Sequence, residues 1–144
     1  MILHAGLLAL WSGGRWRGLL IEGVSGSGKS DLALRCLEHS FRLVADDRVL
    51  VWICDGRLFG RAPDSLSGLM ETRGLGVLPQ DNLRLCEIDL CVRCVSSDGV
   101  ERLPDAASTE VEGVSISRID LWPFDVSAPL KLVRAMQHLG AGLR

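Results

Sequence analysis

Apolar positions along this chain come in short runs, and most of the runs are of strand length. Ile2 to Trp11 is almost continuously apolar, Arg17-Gly-Leu-Leu-Ile-Glu22 is a second run, and Ser12-Gly-Gly14 lies between them as a turn. Runs of this length bounded by turn residues predict buried strands. Arg42-Leu-Val-Ala45 predicts another, broken by Asp46-Asp47. Val49 to Cys54 and Arg57 to Gly60 flank Asp55-Gly56 and predict a hairpin. Leu83 to Val95 alternates, with Ile88, Leu90, Val92 and Cys94 on one face and Glu87, Asp89, Cys91 and Arg93 on the other. Ser97-Asp98-Gly99 then reads as a further hairpin turn, and Val114 to Leu121 as a last strand.

Two stretches change to a helical period. Ser30 to Leu37 puts Leu32, Ala33, Cys36 and Leu37 on one face and is expected to end near His39 and Ser40. The second is a closing helix that Ser127 can cap, with Pro129 in its first turn and Gly140 just beyond its end. Its apolar face is Leu132, Val133, Met136 and Leu139. Pro63 to Met70 reads as a loop with a short helical turn, followed by Glu71-Thr-Arg-Gly-Leu-Gly76. Few helices and many strands predict a mixed α/β domain without a regular βαβ repeat. Residues 1–144 carry no internal repeat or low-complexity linker and are read as a single domain.

Composition narrows the partners. The chain is 47% hydrophobic and 24% charged, an ordinary globular balance. A formal net charge of −2 leaves no basic excess for neutralising phosphates along a nucleic acid, so a small molecule or another protein is the expected partner. No run approaches the roughly 18 apolar residues of a membrane span, and Met1 to Trp11 lacks a basic leader, so the expected location is cytoplasmic. Of the five cysteines, Cys86, Cys91 and Cys94 follow C-x4-C-x2-C, a spacing known from iron–sulfur proteins. Strand alternation turns Cys91 away from Cys94, and no fourth cysteine follows, so they are read as reduced structural thiols.

The strongest chemical signal is Gly23-Val24-Ser25-Gly26-Ser27-Gly28-Lys29-Ser30, which satisfies G-x-x-x-x-G-K-[ST] between a strand and a helix. Glycines let backbone N–H groups turn inward, the helix N-terminus favours an anion, Lys29 neutralises charge and Ser30 can ligate Mg²⁺. The chain is expected to bind a phosphorylated nucleotide. Asp46-Asp47 stands 17 residues beyond Lys29 at the end of an apolar strand, where a nucleotide enzyme keeps its metal carboxylate. Arg73 offers a planar donor fork within Glu71 to Gly76, although a bland surface turn fits that stretch equally. His4, among apolar residues, reads by itself as a satisfied core histidine. The four tryptophans are scattered and form no stacking platform.

GVSGSGKSDLAL (residues 23–34), RLVADD (42–47) and LMETRGLGVL (69–78) occur in this order at close spacing. Together they resemble the C-terminal catalytic domain of HPr kinase/phosphorylase. The likeness runs from about His4 to Leu78. DLWPFDVSAPLK (residues 120–131) looks like the closing segment of short alphaproteobacterial members, without the P-G-R-N segment or the N-terminal domain of longer ones.

The resemblance implies a fold like the nucleotide-binding core of phosphoenolpyruvate carboxykinase, in homohexamers. It implies phosphorylation of a serine on the phosphocarrier HPr with ATP or pyrophosphate, and reversal by phosphorolysis to pyrophosphate. Carried residue by residue, Gly23 to Ser30 would hold the phosphates and Asp46 would be the general base. Ser30, Asp47 and Glu71 would serve Mg²⁺, and Arg73 lies in the family signature. His4 matches a histidine beside the catalytic aspartate, which reverses its bland reading. Lys131 is the candidate to replace the P-G-R-N arginine. Two other readings stay open: a different phosphate-loop kinase, and a nucleotide-sensing regulatory module without turnover. Retention of Asp46, Asp47 and Glu71 counts against the second.

Overall fold

The apolar run at the N-terminus forms two strands, and the break between them is where the chain changes partners. The computed structural model describes residues 1–139. Its strands are β1 (Ile2–Leu3), β2 (Gly6–Ser12), β3 (Arg15–Glu22), β4 (Arg42–Ala45), β5 (Val49–Cys54), β6 (Arg57–Arg61), β7 (Leu69–Thr72), β8 (Gly76–Pro79), β9 (Cys86–Cys94), β10 (Ala107–Val111) and β11 (Val114–Leu121). Its α-helices are α1 (Lys29–Cys36) and α2 (Ala128–Gln137). β1 pairs with β5, whereas β2 pairs with β3 and β4. The junction is pinned where the Ala5 amide donates to the Asp47 carbonyl at 3.0 Å. This leaves the intervening His4 at the strand ends rather than in a core.

Nine strands form one mixed sheet, and β7 and β8 make a separate hairpin. β9 is its central member. Its first residues pair antiparallel with β6, and its later ones run parallel to β3 and to β11. The transition is a bulge. Gly18 lies opposite Ile88 but Leu19 lies opposite Leu90, so Asp89 is the extra residue. The Asp89 carboxylate accepts from the Gly18 amide at 2.9 Å and from the Arg15 guanidinium. A Cβ on Gly18 would stand 2.1 Å from the Glu87 carbonyl oxygen, so only glycine fits there.

The bulge corrects the simple alternation expected for this strand. Ile88 shares a core with Cys86, Cys91, Leu7, Leu20, Val49 and Leu58. Leu90, Val92 and Cys94 enter the other core with Leu19, Ile21, Leu32, Leu132 and Met136. Cys91 and Cys94 do face opposite ways. Burial pushes the thiols of Cys36 and Cys86 up to about 12 and that of Cys94 to about 11, which keeps them protonated.

Other expectations also change. Ser97–Gly99 is a single 3₁₀ turn, not a hairpin, and the polar strand β10 before β11 escaped the pattern reading. Leu69 and Met70, expected within a loop, belong to β7, and Glu71 to Gly76 forms the turn end of the β7–β8 hairpin. Ser127 stands at the N-cap of α2 without a side-chain cap; instead its amide donates to Asp125 Oδ1 at 3.0 Å. Gly140, expected beyond that helix, lies outside the described residues. Trp11 and Trp16, read as scattered, are cross-strand partners with ring centroids 5.5 Å apart. No helix among the described residues is long and apolar enough to cross a membrane.

The bulge generates a stability prediction. Gly18→Ala should destabilise the protein by about 1–3 kcal/mol, as overpacking does. Gly6→Ala, whose Cβ would make only ordinary contacts at 3.8 Å and beyond, should cost less than about 1 kcal/mol. Urea denaturation midpoints of the two variants check this.

Candidate functional site

β3, β9 and β11 run parallel, so their C-terminal ends open on one edge of the sheet, the usual crevice for ligands in α/β folds. The glycine-rich loop leaves β3 there and delivers the chain into α1. Gly28 is the helix N-cap at φ 102°, a backbone conformation that favours glycine. The first intrahelical bond runs from the Leu32 amide to the Gly28 carbonyl at 2.9 Å. The amides of Lys29, Ser30 and Asp31 therefore have no acceptor within the helix and are free for an anion. Lys29 Nζ donates to the carbonyls of Gly23 and Val24, at 2.7 and 3.3 Å, so its charge is held over the loop. Ser27 Oγ is buried without a hydrogen-bond partner among the described residues.

Across from the loop stands the end of β4. Asp47 takes φ 67°, and the Arg48 amide closes on the Asp46 carbonyl at 2.7 Å, a tight three-residue turn. That turn separates the two carboxylates. His4 Nε2 lies 2.5 Å from Asp47 Oδ1, and Arg48 Nε lies 3.9 Å from Asp47 Oδ2. Asp46 instead turns toward the hairpin, where its Oδ2 accepts from the Glu71 amide at 2.9 Å. Burial raises the Asp46 carboxyl above its ordinary value, opposed by the Glu71 amide and reinforced by the charges of Asp47 and Glu71.

These elements enclose a cleft of about 510 Å³. Ser25, Gly26, Gly28, Lys29 and Ser30 line it from the loop, His4 and Asp47 from the strand ends, and Glu71 and Arg73 from the hairpin. Gly23, Val24, Ser27 and Asp46 are not among its lining residues, nor is Lys131. Lys131 Nζ pairs with Asp125 Oδ2 at 2.5 Å and, together with the Ser127 amide, holds that carboxyl below its usual range. Arg73, by contrast, makes no ion pair with any of the described residues and faces the cleft. A larger hollow of about 660 Å³ lies against β5 and β6, contains none of the sequence-predicted residues, and has its Arg61 already paired with Asp64.

The donor set fits a hard divalent cation. Ser30, Asp47 and Glu71 present one hydroxyl and two carboxylates to the same space. Among the described residues, no group of three His, Cys, Asp or Glu side chains could hold a metal unaided. A hydroxyl with one or two carboxylates is a donor set that Mg²⁺ can use when waters and phosphate oxygens complete its shell.

Sequence reasoning missed Asp31, Leu34, Thr72 and Phe124, which also line the cleft. Leu34 sits four residues past Ser30 on α1, so helical spacing could have found it, whereas Asp31 simply adjoins Ser30 in the first turn. Phe124 was signalled only by an aromatic residue between a strand end and a helix.

A mixed α/β fold with a glycine-rich loop at its parallel strand ends defines a phosphate-binding class of domain. Residues 3–121 match the family model of the HPr Serine kinase C-terminal domain, and the chain belongs to that family. It is 33% identical over 136 residues to an HPr kinase/phosphorylase of Lactobacillus delbrueckii, covering 85% of this chain and 40% of the relative. It is 48% identical over 61 residues to that of Clostridium beijerinckii, covering 42% of this chain and 20% of the relative. The chain thus spans well under half the length of these relatives. The solved Hpr(Ser) kinase/phosphatase of Coxiella burnetii has the same fold, with a TM-score of 0.80 at 22% identity over 95% of this chain and 90% of that one.

The split between the aspartates is directly testable. Asp46→Ala should speed hydrogen exchange of the Glu71 amide about fivefold, for a hydrogen bond worth about 1 kcal/mol. Asp47→Ala should leave that amide unchanged. Residue-resolved exchange distinguishes them.

Proposed function

We propose that this cleft transfers a phosphoryl group between a polyphosphate donor and a serine hydroxyl of the phosphocarrier HPr, with ATP or pyrophosphate as donor and Mg²⁺ as cofactor. The observation that carries the reading is the convergence of Lys29 and Ser30 with the His4–Asp47 pair and Glu71 on one cleft. The family match and the names of the relatives support HPr and its serine as the target.

In the forward direction the serine oxygen attacks the terminal phosphorus and the bond to the bridging oxygen breaks. The nucleoside diphosphate, or phosphate from pyrophosphate, departs. Loop amides and Lys29 hold the departing charge, and such positioning with charge stabilisation supplies most of the catalysis in phosphoryl transfer. Bound Mg²⁺, held by Ser30 and Glu71, would supply further charge neutralisation.

The serine proton goes to Asp47 rather than to Asp46. Asp47 is exposed in the cleft, whereas one oxygen of Asp46 is engaged by the hairpin amide. His4 is the positioning residue: it holds Oδ1, while Oδ2, with Arg48 Nε at 3.9 Å, is the oxygen left to take the proton. Asp46 positions Glu71. In reverse, protonated Asp47 donates to the departing serine oxygen as inorganic phosphate attacks the phosphoserine, forming pyrophosphate. Two anions meet in that step, and Arg73 is better placed than Lys131 to offset their repulsion.

Lys29→Ala should abolish formation of phosphoserine on HPr while leaving thermal unfolding unchanged. Asp47→Asn should lower kcat by about 10²-fold or more, the scale of general base catalysis. Asp46→Asn should lose less. A variant order with Asp46→Asn more damaging than Asp47→Asn would return the base to Asp46.

A further inference from the structure

One wall of the cleft is apolar and has no part in the phosphate chemistry. Phe124 is 56% exposed, yet it rests on the phosphate loop. A Cβ on Gly28 would come within 2.8 Å of Phe124 Cζ and 3.1 Å of Pro123 Cγ. Leu34, 38% exposed, follows on α1 one turn beyond Ser30, and both side chains face the cleft.

The segment carrying Phe124 is tied down. The Arg35 guanidinium donates to the Pro123 carbonyl, to the Asp125 carbonyl at 3.4 Å, and to Asp31 Oδ2 at 2.9 Å. Asp125 in turn accepts from the Ser127 amide and from Lys131. An aromatic residue more than half exposed is thus held in place beside a phosphate cradle. Exposed apolar surface confined to a ligand cleft marks binding area.

The two kinds of wall come from different elements. The imidazole and carboxylates that act on the terminal phosphoryl group belong to the strand ends and the hairpin, whereas the apolar groups belong to α1 and the segment after β11. Asp47, the loop, Leu34 and Phe124 line one continuous cleft, so a donor whose terminal phosphate reaches Asp47 has the apolar wall within the same space. We propose, on the reading of the cleft as a phosphoryl-transfer site, that Phe124 with Leu34 forms a nucleoside subsite. The base of a nucleoside triphosphate stacks on the Phe124 ring, so this chain favours such a donor over a bare polyphosphate. Arg35 is the positioning residue that fixes the ring through the backbone on either side of it.

The test compares binding of the non-hydrolysable ATP analogue AMP-PNP and of inorganic tripolyphosphate, each with Mg²⁺, by calorimetry on the same samples. Wild type should bind AMP-PNP roughly tenfold or more tightly than tripolyphosphate, the scale of one stacked base. Phe124→Ala should bring that ratio to within about twofold, and Phe124→Tyr should restore it. Because the ratio is taken on one protein, a disturbed loop in Phe124→Ala weakens both ligands and leaves the readout intact. Arg35→Gln should lower the ratio in the same direction. A wild-type ratio near one, or a ratio that Phe124→Ala leaves unchanged, would overturn the subsite while leaving the phosphate loop standing. Binding of neither ligand by folded wild type would overturn both readings.

Discussion

The bulge at Asp89 is the constraint on which the molecule is built. One strand, β9, has to pair antiparallel with β6 and then parallel with β3 and β11. The extra residue lets it feed Ile88 and Leu90 into different cores, and Gly18 removes the one side chain that would block the crossing. Asp89 satisfies the backbone amide left over at the irregularity. The consequence lies at the far end of the same strands. With β3, β9 and β11 parallel, the glycine-rich loop after β3 and the Trp122–Val126 segment after β11 emerge side by side, and Phe124 comes to rest on Gly28.

Charge governs the cleft that results. Three carboxylates, Asp46, Asp47 and Glu71, approach a loop designed by its backbone for anions. Burial raises the Asp46 carboxyl, and the like charges of Asp47 and Glu71 add to it. The arrangement makes sense when each carboxylate has its own partner: a backbone amide for Asp46, an imidazole for Asp47, and the space facing Ser30 for Glu71. Lys29 and Arg73, which has no ion-pair partner among the described residues, supply the fixed positive charge. A divalent cation bridging phosphate and carboxylate oxygens would complete the balance.

What could be read in the sequence was local. The glycine-rich loop, α1, the β5–β6 hairpin and β11 were legible because their signals sit within a few residues. β10 was not, since Ala-Ser-Thr-Glu-Val is a polar edge with no alternation to detect. The break at His4 was invisible because both halves of the run are apolar, and only their different partners separate them. Asp46 and Asp47 were recognised as a pair, but their division depends on a φ of 67° that adjacent identical residues do not announce. The role of Phe124 depends on a contact with Gly28, 96 residues earlier in the chain. Lys131 was singled out for its charge near a helix start, and the structure gives that charge to Asp125.

The central claim is that one cleft moves a phosphoryl group both ways between a serine and a polyphosphate. The most direct measurement phosphorylates HPr with this protein and ATP, removes the nucleotide, adds excess inorganic phosphate, and follows phosphoserine and pyrophosphate together. The account predicts that phosphoserine forms first and then disappears with one pyrophosphate released for each one lost. Absence of phosphoserine, or its loss without pyrophosphate, would contradict it.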